Sequence, residues 1–286
     1  MAIYPKEAQV NEEAIARLTD LYQKAYIRIA GEIEGATDFG VANRKAILAQ
    51  IDAILADFSG DVYEFIETEI PAIYKVGAKD AVNQLRAAGA DIQVKSGFNL
   101  LHKQAIAALV DDTASAFGEG MAGINRTARQ ILGRATKQLI TQRIAEGLIS
   151  GSSVRDVKNL ITGILQNEGL GALVDKGGHT WTLDRYSEML FRTKMVEARN
   201  LGLINRVAEN GFDLVQVSVN GSEHEECRIW EGEILSLTGA TSGYKTVSDA
   251  TAAGLFHPNC KHALNVINPE LAAITLAYNP QTEQYE

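Results

Sequence analysis

The chain has 286 residues, of which 46% are hydrophobic and 22% charged, and it carries a formal net charge of -9, two cysteines and five prolines. That apolar fraction belongs to a folded protein and excludes disorder of the whole chain, while the length allows one large domain or two ordinary ones. No run approaches the roughly 18 uninterrupted apolar residues of a spanning helix, and the start lacks the charged-then-apolar pattern of a signal peptide.

The expectation is therefore a protein without a membrane anchor, made in the cytoplasm, whose cysteines act as thiols or metal ligands and not as a disulfide framework. The acidic total argues against coating nucleic acid by bulk charge. It hides a pattern, however: residues 1–80 carry 8 Lys/Arg against 14 Asp/Glu, residues 81–206 carry 16 against 11, and residues 207–286 carry 3 against 11. A basic middle flanked by acidic ends can mark an interaction surface, although solvated helix faces produce the same pattern.

From Pro5 to about Glu34, Ile15, Leu18, Leu21, Tyr22, Ala25, Ile29 and Ile33 recur at spacings of three and four, which predicts an amphipathic helix. A second helix is expected from Val41 to Phe58, stopped by Ser59-Gly60, and a third from Asp61 that is kinked or broken at Pro71. Residues 98–149 form the longest periodic region, weakened by Gly118, Gly120 and Gly123, and read as two helices or one long bent one. Those glycines also suggest a segment able to rearrange. Ser150-Gly151-Ser152-Ser153 is expected to stop it and cap a shorter helix from Val154 to Gln166, followed by a glycine-containing loop and a helix from Thr182 to Asn210.

At Gly211 the character changes, because Asp213 to Val219 alternates and is rich in β-branched residues, and turn-rich sequence follows. The resulting fold class is mainly α, an elongated helical body with a small C-terminal β-rich lobe. The expected domains are a helical body over 1–210, the lobe over 211–268 and a tail over 269–286, the tail starting as a short helix and ending loose and polar.

The lobe holds the side chains best suited to a transition metal: Cys227, His257, Cys260 and His262, with His224 as a fifth candidate. In His257-Pro258-Asn259-Cys260 the two-residue gap is that of a metal knuckle, where a tight turn aims both side chains at one point. Zinc favours such nitrogen and sulfur ligands in a tetrahedral arrangement. Four protein ligands would make the site structural, whereas an open position would permit hydrolysis. The competing reading has small buried thiols and hydrogen-bonded histidines.

Enzyme signatures are weak. Only Pro258-Asn259-Cys260-Lys261-His262 approaches the zinc deaminase pattern, and the chain has no His-Glu-x-x-His, no phosphate-binding Gly-x-x-x-x-Gly-Lys and no Gly-x-Ser-x-Gly. Glu223, Glu225 and Glu226 beside Cys227 read as an exposed acidic turn before they read as general bases.

Several ordered landmarks resemble the tailed-phage minor capsid proteins, in particular the group called phage minor capsid protein 2, related to the Mu F-type head morphogenesis proteins. They are Ile66 to Tyr74 with Gly77, Trp181 to Thr193, Asp213 to Ser218, Cys227 to Leu237, Gly243-Tyr244 and Gly254 to His262. Family members often have a histidine soon after the Val-x-Val-Ser strand. Here Val219-Asn220-Gly221-Ser222-Glu223 intervenes and His224 stands as its shifted counterpart.

The resemblance implies a protein made in the bacterial cytoplasm, carried in few copies in the phage head, associated with the portal vertex and acting in head assembly or genome delivery without catalysis. Portal and major capsid proteins are the implied partners. The sequence ends at Glu286, which gives the expectation that the toxin domains fused to some relatives are absent. Arg126, Arg129, Arg134, Lys137 and Arg143 in the basic middle are candidate contacts to packaged DNA, although they share a helix face only in part. The alternatives are a metal-dependent hydrolase or nuclease using the Cys/His cluster, with zinc as the cofactor, and a scaffold-like protein that leaves the particle.

Overall fold

The computed structural model describes residues 7–35, 41–92, 97–145, 173–174, 180–181, 183–221, 224–267, 278–279 and 284–285. Its elements in chain order begin with α1 (Glu7–Gly35), α2 (Val41–Ala87), α3 (Leu100–Ala145), β1 (Leu173–Val174), β2 (Thr180–Trp181) and α4 (Leu183–Glu209). There follow β3 (Leu214–Val217), α5 (Glu225–Arg228), β4 (Ile234–Ser236), α6 (Val247–Ala252), β5 (Leu264–Val266), β6 (Tyr278–Asn279) and β7 (Gln284–Tyr285). The fold is mainly α with a small C-terminal three-stranded sheet, as the periodicity predicts. No described helix is long and apolar enough to cross a membrane.

Two expectations about helix boundaries are corrected. Ser59-Gly60 does not end a helix and Pro71 does not break one, because α2 runs through both. The missing amide of an interior proline costs about 3 kcal/mol. Against it, Ile66, Ile70 and Tyr74 are all completely buried, and each such side chain contributes about 1.5–3 kcal/mol. Burial along the helix thus outweighs the local breaker. The region around Gly118, Gly120 and Gly123 is likewise one helix, α3, and Asn99 starts it by accepting the His102 amide on Oδ1 at 3.1 Å. The helix expected over 154–166 lies outside the described residues, as does most of the tail.

The chain divides into two compact units. One comprises residues 12–66 and 113–190, the other residues 1–11, 67–112 and 191–286. In the first, Ile15, Leu18, Tyr22 and Ile29 of α1 and Ile47, Ile51, Ile54, Phe58 and Val62 of α2 are buried at helical spacing. Tyr22 and Phe58 meet edge to face at 4.6 Å.

In the second unit α2 and α4 approach so closely that only glycine fits at two positions. A Cβ on Gly77 would stand 1.9 Å from the Arg199 carbonyl oxygen, and one on Gly202 would stand 2.1 Å from that of Tyr74. Across the same crossing Arg199 pairs with Asp80 at 2.9 Å. Beside it lies a buried polar cluster. The Tyr74 hydroxyl meets His102 Nδ1 at 2.8 Å, His102 Nε2 meets Glu209 at 3.2 Å, and Arg206 donates to the same carboxylate at 2.6 Å. Burial pushes the Tyr74 phenol up from its ordinary value, while the Asn205 hydrogen bond pulls it down.

The sheet has order β4-β3-β5 and is antiparallel throughout, with Val215 paired to Leu235 on one side and to Val266 on the other. Val215 and Val217 face inward, where they pack with Leu235, Leu264, Trp230 and Leu255 and with Ala81, Leu203 and Val207 from α2 and α4. Helices and lobe therefore share one core. Strand β5 lies at the edge of the sheet, yet two of its amides are capped by side chains: Leu264 N donates to Asn200 and Val266 N to Gln84.

Candidate functional site

Asp213, immediately before β3, fixes the base of the lobe. Its carboxylate accepts from the hydroxyls of Ser236, Thr238 and Thr241 and from the amides of Thr238 and Thr241. Partial burial pushes this carboxyl up, but the hydroxyl donors outweigh it and hold the group well below the usual carboxylate range. In the sequence Asp213 reads only as the start of the alternating stretch, because the partners of its carboxylate lie 23 to 28 residues away.

On this base the lobe presents Cys227 from α5 and the 254–262 segment that follows α6. Thr246 and Asp249 form a capping box that starts α6, and Gly254, with φ of 103°, turns the chain out of it. Leu255 is buried and anchors the turn. Phe256 and Asn259 both adopt left-handed φ near 64°, conformations that cost non-glycine residues of order 1 kcal/mol or more. Between them His257 and Pro258 form a tight turn closed by Cys260 N donating to His257 O at 2.9 Å, and Asn259 N donates to Thr193 of α4.

This turn brings predicted ligands together. One nitrogen of His257 and the sulfurs of Cys227 and Cys260 all lie within 4.8 Å of one another. The two sulfurs are 3.6 Å apart and buried. Burial first, and then the neighbouring Cys260, push the Cys227 thiol up to about 11, against the pull of the Phe256 and His257 amides. Without a cation the Cys227 thiol stays protonated at neutral pH, whereas a cation between the two sulfurs would favour the thiolate.

His262 and His224 both fall outside that triad. His262 is buried, and its Nδ1 lies 3.3 Å from the Cys260 sulfur while its Nε2 lies 2.9 Å from Glu231. The carboxylate of Glu231 can only accept at neutral pH, which makes Nε2 the protonated nitrogen. His224 is exposed at the start of α5 and stacks on His257 with ring centroids 4.0 Å apart. A cleft of about 360 Å³ borders the site, lined by Val196, Ile204, Val247 and Phe256 and reaching His257 and Cys260. Glu197 on its wall is paired with Lys194 at 2.9 Å.

The candidate DNA contacts are described only in part. Arg126 and Arg129 are exposed on α3, and Arg129 donates to both carboxylate oxygens of Asp52 at 2.8 Å. The side chains of Arg134, Lys137 and Arg143 lie outside the described residues.

The family model for phage minor capsid protein 2 matches residues 38–284, a span that takes in most of both units and the whole Cys/His lobe. No curated protein and no solved structure gives a significant match. The chain belongs to the phage minor capsid protein 2 family, a family of phage structural proteins that associate with other proteins of the virion.

Proposed function

We propose that this protein acts at the portal vertex of a tailed-phage head, in head assembly or early genome delivery, as a non-catalytic component in contact with portal and major capsid subunits. The observation that carries the non-catalytic part is the arrangement of the lobe. Its chemistry-bearing side chains face one another: Cys227, Cys260 and His262 are buried, and Glu231 is taken up by His262. Among the described residues, the carboxylate on the neighbouring cleft wall is Glu197, and it is engaged by Lys194. Such a cluster stabilises a fold more readily than it turns over a substrate.

Contact with packaged DNA is a minor part of this reading. Arg126 has the exposure for it, whereas Arg129 is neutralised locally by Asp52. Two experiments test the proposal. Mass spectrometry of purified virions should find the chain at low copy, and a reconstruction of the particle should show it against the portal ring. Its absence from mature particles would make it a scaffold-like protein, and a position remote from the vertex would remove the portal role.

A further inference from the structure

The lobe contains the same spacing twice. His224-Glu225-Glu226-Cys227 and His257-Pro258-Asn259-Cys260 are both His-x-x-Cys, the first on the single turn of α5 and the second on the strained turn after α6. The fold sets them face to face, with the sulfurs 3.6 Å apart and the two imidazoles stacked at 4.0 Å. Two sulfurs each about 2.3 Å from one tetrahedral zinc would be separated by about 3.8 Å, close to the spacing observed. A disulfide would require about 2.05 Å.

We propose that Cys227, His257 and Cys260, which lie within 4.8 Å of one another, hold a borderline-soft divalent cation, with zinc the best fit, that His224, stacked on His257 just outside that group, turns in as the fourth ligand, and that His262 and Glu231 support the site from outside. Three details of the structure agree with this division of roles. His257 Nδ1 lies 2.7 Å from the Pro258 carbonyl, to which it can only donate, so Nε2 carries the lone pair a metal needs. The His262 amide donates to the Cys260 sulfur at 3.4 Å, and the bond from its Nε2 to Glu231 at 2.9 Å holds His262 beside the sulfur, as an outer partner that steadies a thiolate ligand. The left-handed Phe256 and Asn259 bracket the second pair, and strain of that kind persists where a site over-determines the backbone.

The donor set fixes the class of ion. Two thiolates select against magnesium and calcium, and two imidazoles suit zinc or cobalt. Four protein ligands leave no open position, so the ion is a clip between α5 and the segment after α6. The proposal stands independently of where the protein resides in the particle.

The test uses the full chain, prepared under reducing conditions with no histidine tag. Elemental analysis should give one zinc per chain. Replacement by cobalt(II) should give the intense d–d bands of a four-coordinate site together with thiolate charge transfer. His224→Ala, at an exposed position that leaves the core intact, should change the d–d pattern as a non-protein ligand replaces the imidazole. His262→Ala should keep the pattern and weaken cobalt binding about 10- to 100-fold. Three results overturn the proposal: no stoichiometric metal, no free thiols on denaturation without reductant, or the reverse behaviour of the two variants, with His262→Ala changing the coordination spectrum and His224→Ala leaving it unchanged.

Discussion

Substituting alanine for Gly77 tests the closeness of the α2 to α4 crossing, because local propensity and tertiary contact predict opposite signs. In an open helix the change is favourable by about 1 kcal/mol. At Gly77 the new Cβ would lie 1.9 Å from the Arg199 carbonyl oxygen, whereas ordinary contact begins at 3.4 Å, so the two helices must move apart by roughly 1.5 Å. The obstacle is backbone and cannot rotate away. A separation of that size forfeits much of the dispersion contact between the facing surfaces, where Tyr74, Ala78, Ala198 and Leu203 are buried. Overpacking of this kind costs about 3 kcal/mol, which leaves a net loss of about 2 kcal/mol after the helical gain.

For a domain of this size that loss lowers Tm by roughly 4–8 °C. Gly60 supplies the control on the same helix, since nothing stands within 4 Å of its would-be Cβ. Gly60→Ala should raise stability by about 1 kcal/mol. Thermal and urea unfolding of the two variants, followed by circular dichroism, measure both changes. A Gly77→Ala protein as stable as the parent, or more so, would refute the close crossing.

Asp213→Asn should destabilise the protein by about 2 kcal/mol at neutral pH, because one carboxylate oxygen that accepts from Ser236 and Thr241 becomes a donor. The carboxyl is depressed in the folded state, so its contribution is complete above the unfolded value near 3.9 and is lost as pH falls below it. The gap between parent and variant should therefore be constant from about pH 5 to 7 and narrow in acid. Urea midpoints across that range show it, and a gap that widens in acid would contradict the assignment. His102→Ala should cost about 2–4 kcal/mol, since it empties a buried position and removes a partner from both Tyr74 and Glu209. An equilibrium unfolding midpoint unchanged from the parent would show that the cluster adds nothing. The double change Gln84→Ala with Asn200→Ala should expose the β5 amides. Hydrogen exchange at Leu264 and Val266 should rise while α1 is unaffected, and unaltered protection there would count against side-chain capping of the edge.

Elements whose cause is local were legible in the sequence. The spacing of Ile15, Leu18, Tyr22 and Ile29 marks the buried face of α1, and the alternation around Val215 and Val217 marks β3. Helix ends were legible only where local signals went unopposed. Ser59-Gly60 and Pro71 are ordinary stop signals, but side chains on both sides of them are buried by partners distant in sequence, and that burial decides.

The Cys/His site was half legible. Cys227, His257 and Cys260 stood out by residue type, and the repeat of His-x-x-Cys was present to be read. Which histidine approaches both sulfurs depends on the fold: His257 does, whereas His262 lies between Cys260 and Glu231, the latter 31 residues away. Tyr74, His102 and Glu209 gave no signal at all, being 28 and 107 residues apart along the chain.

The capping of β5 has a consequence for synthesis. Gln84 leaves the ribosome 182 residues before the amide of Val266 that it accepts. At about 5–20 residues per second, that interval is on the order of 10–40 s. Until Glu209 is made α2 lacks the α4 face against which Gly77 fits, and throughout the interval it lacks the strand that completes the shared core. Nascent chains should therefore hold an apolar α2 surface within reach of host chaperones until nearly the last of the polypeptide is made, and a truncation before β5 should leave that surface uncovered for good.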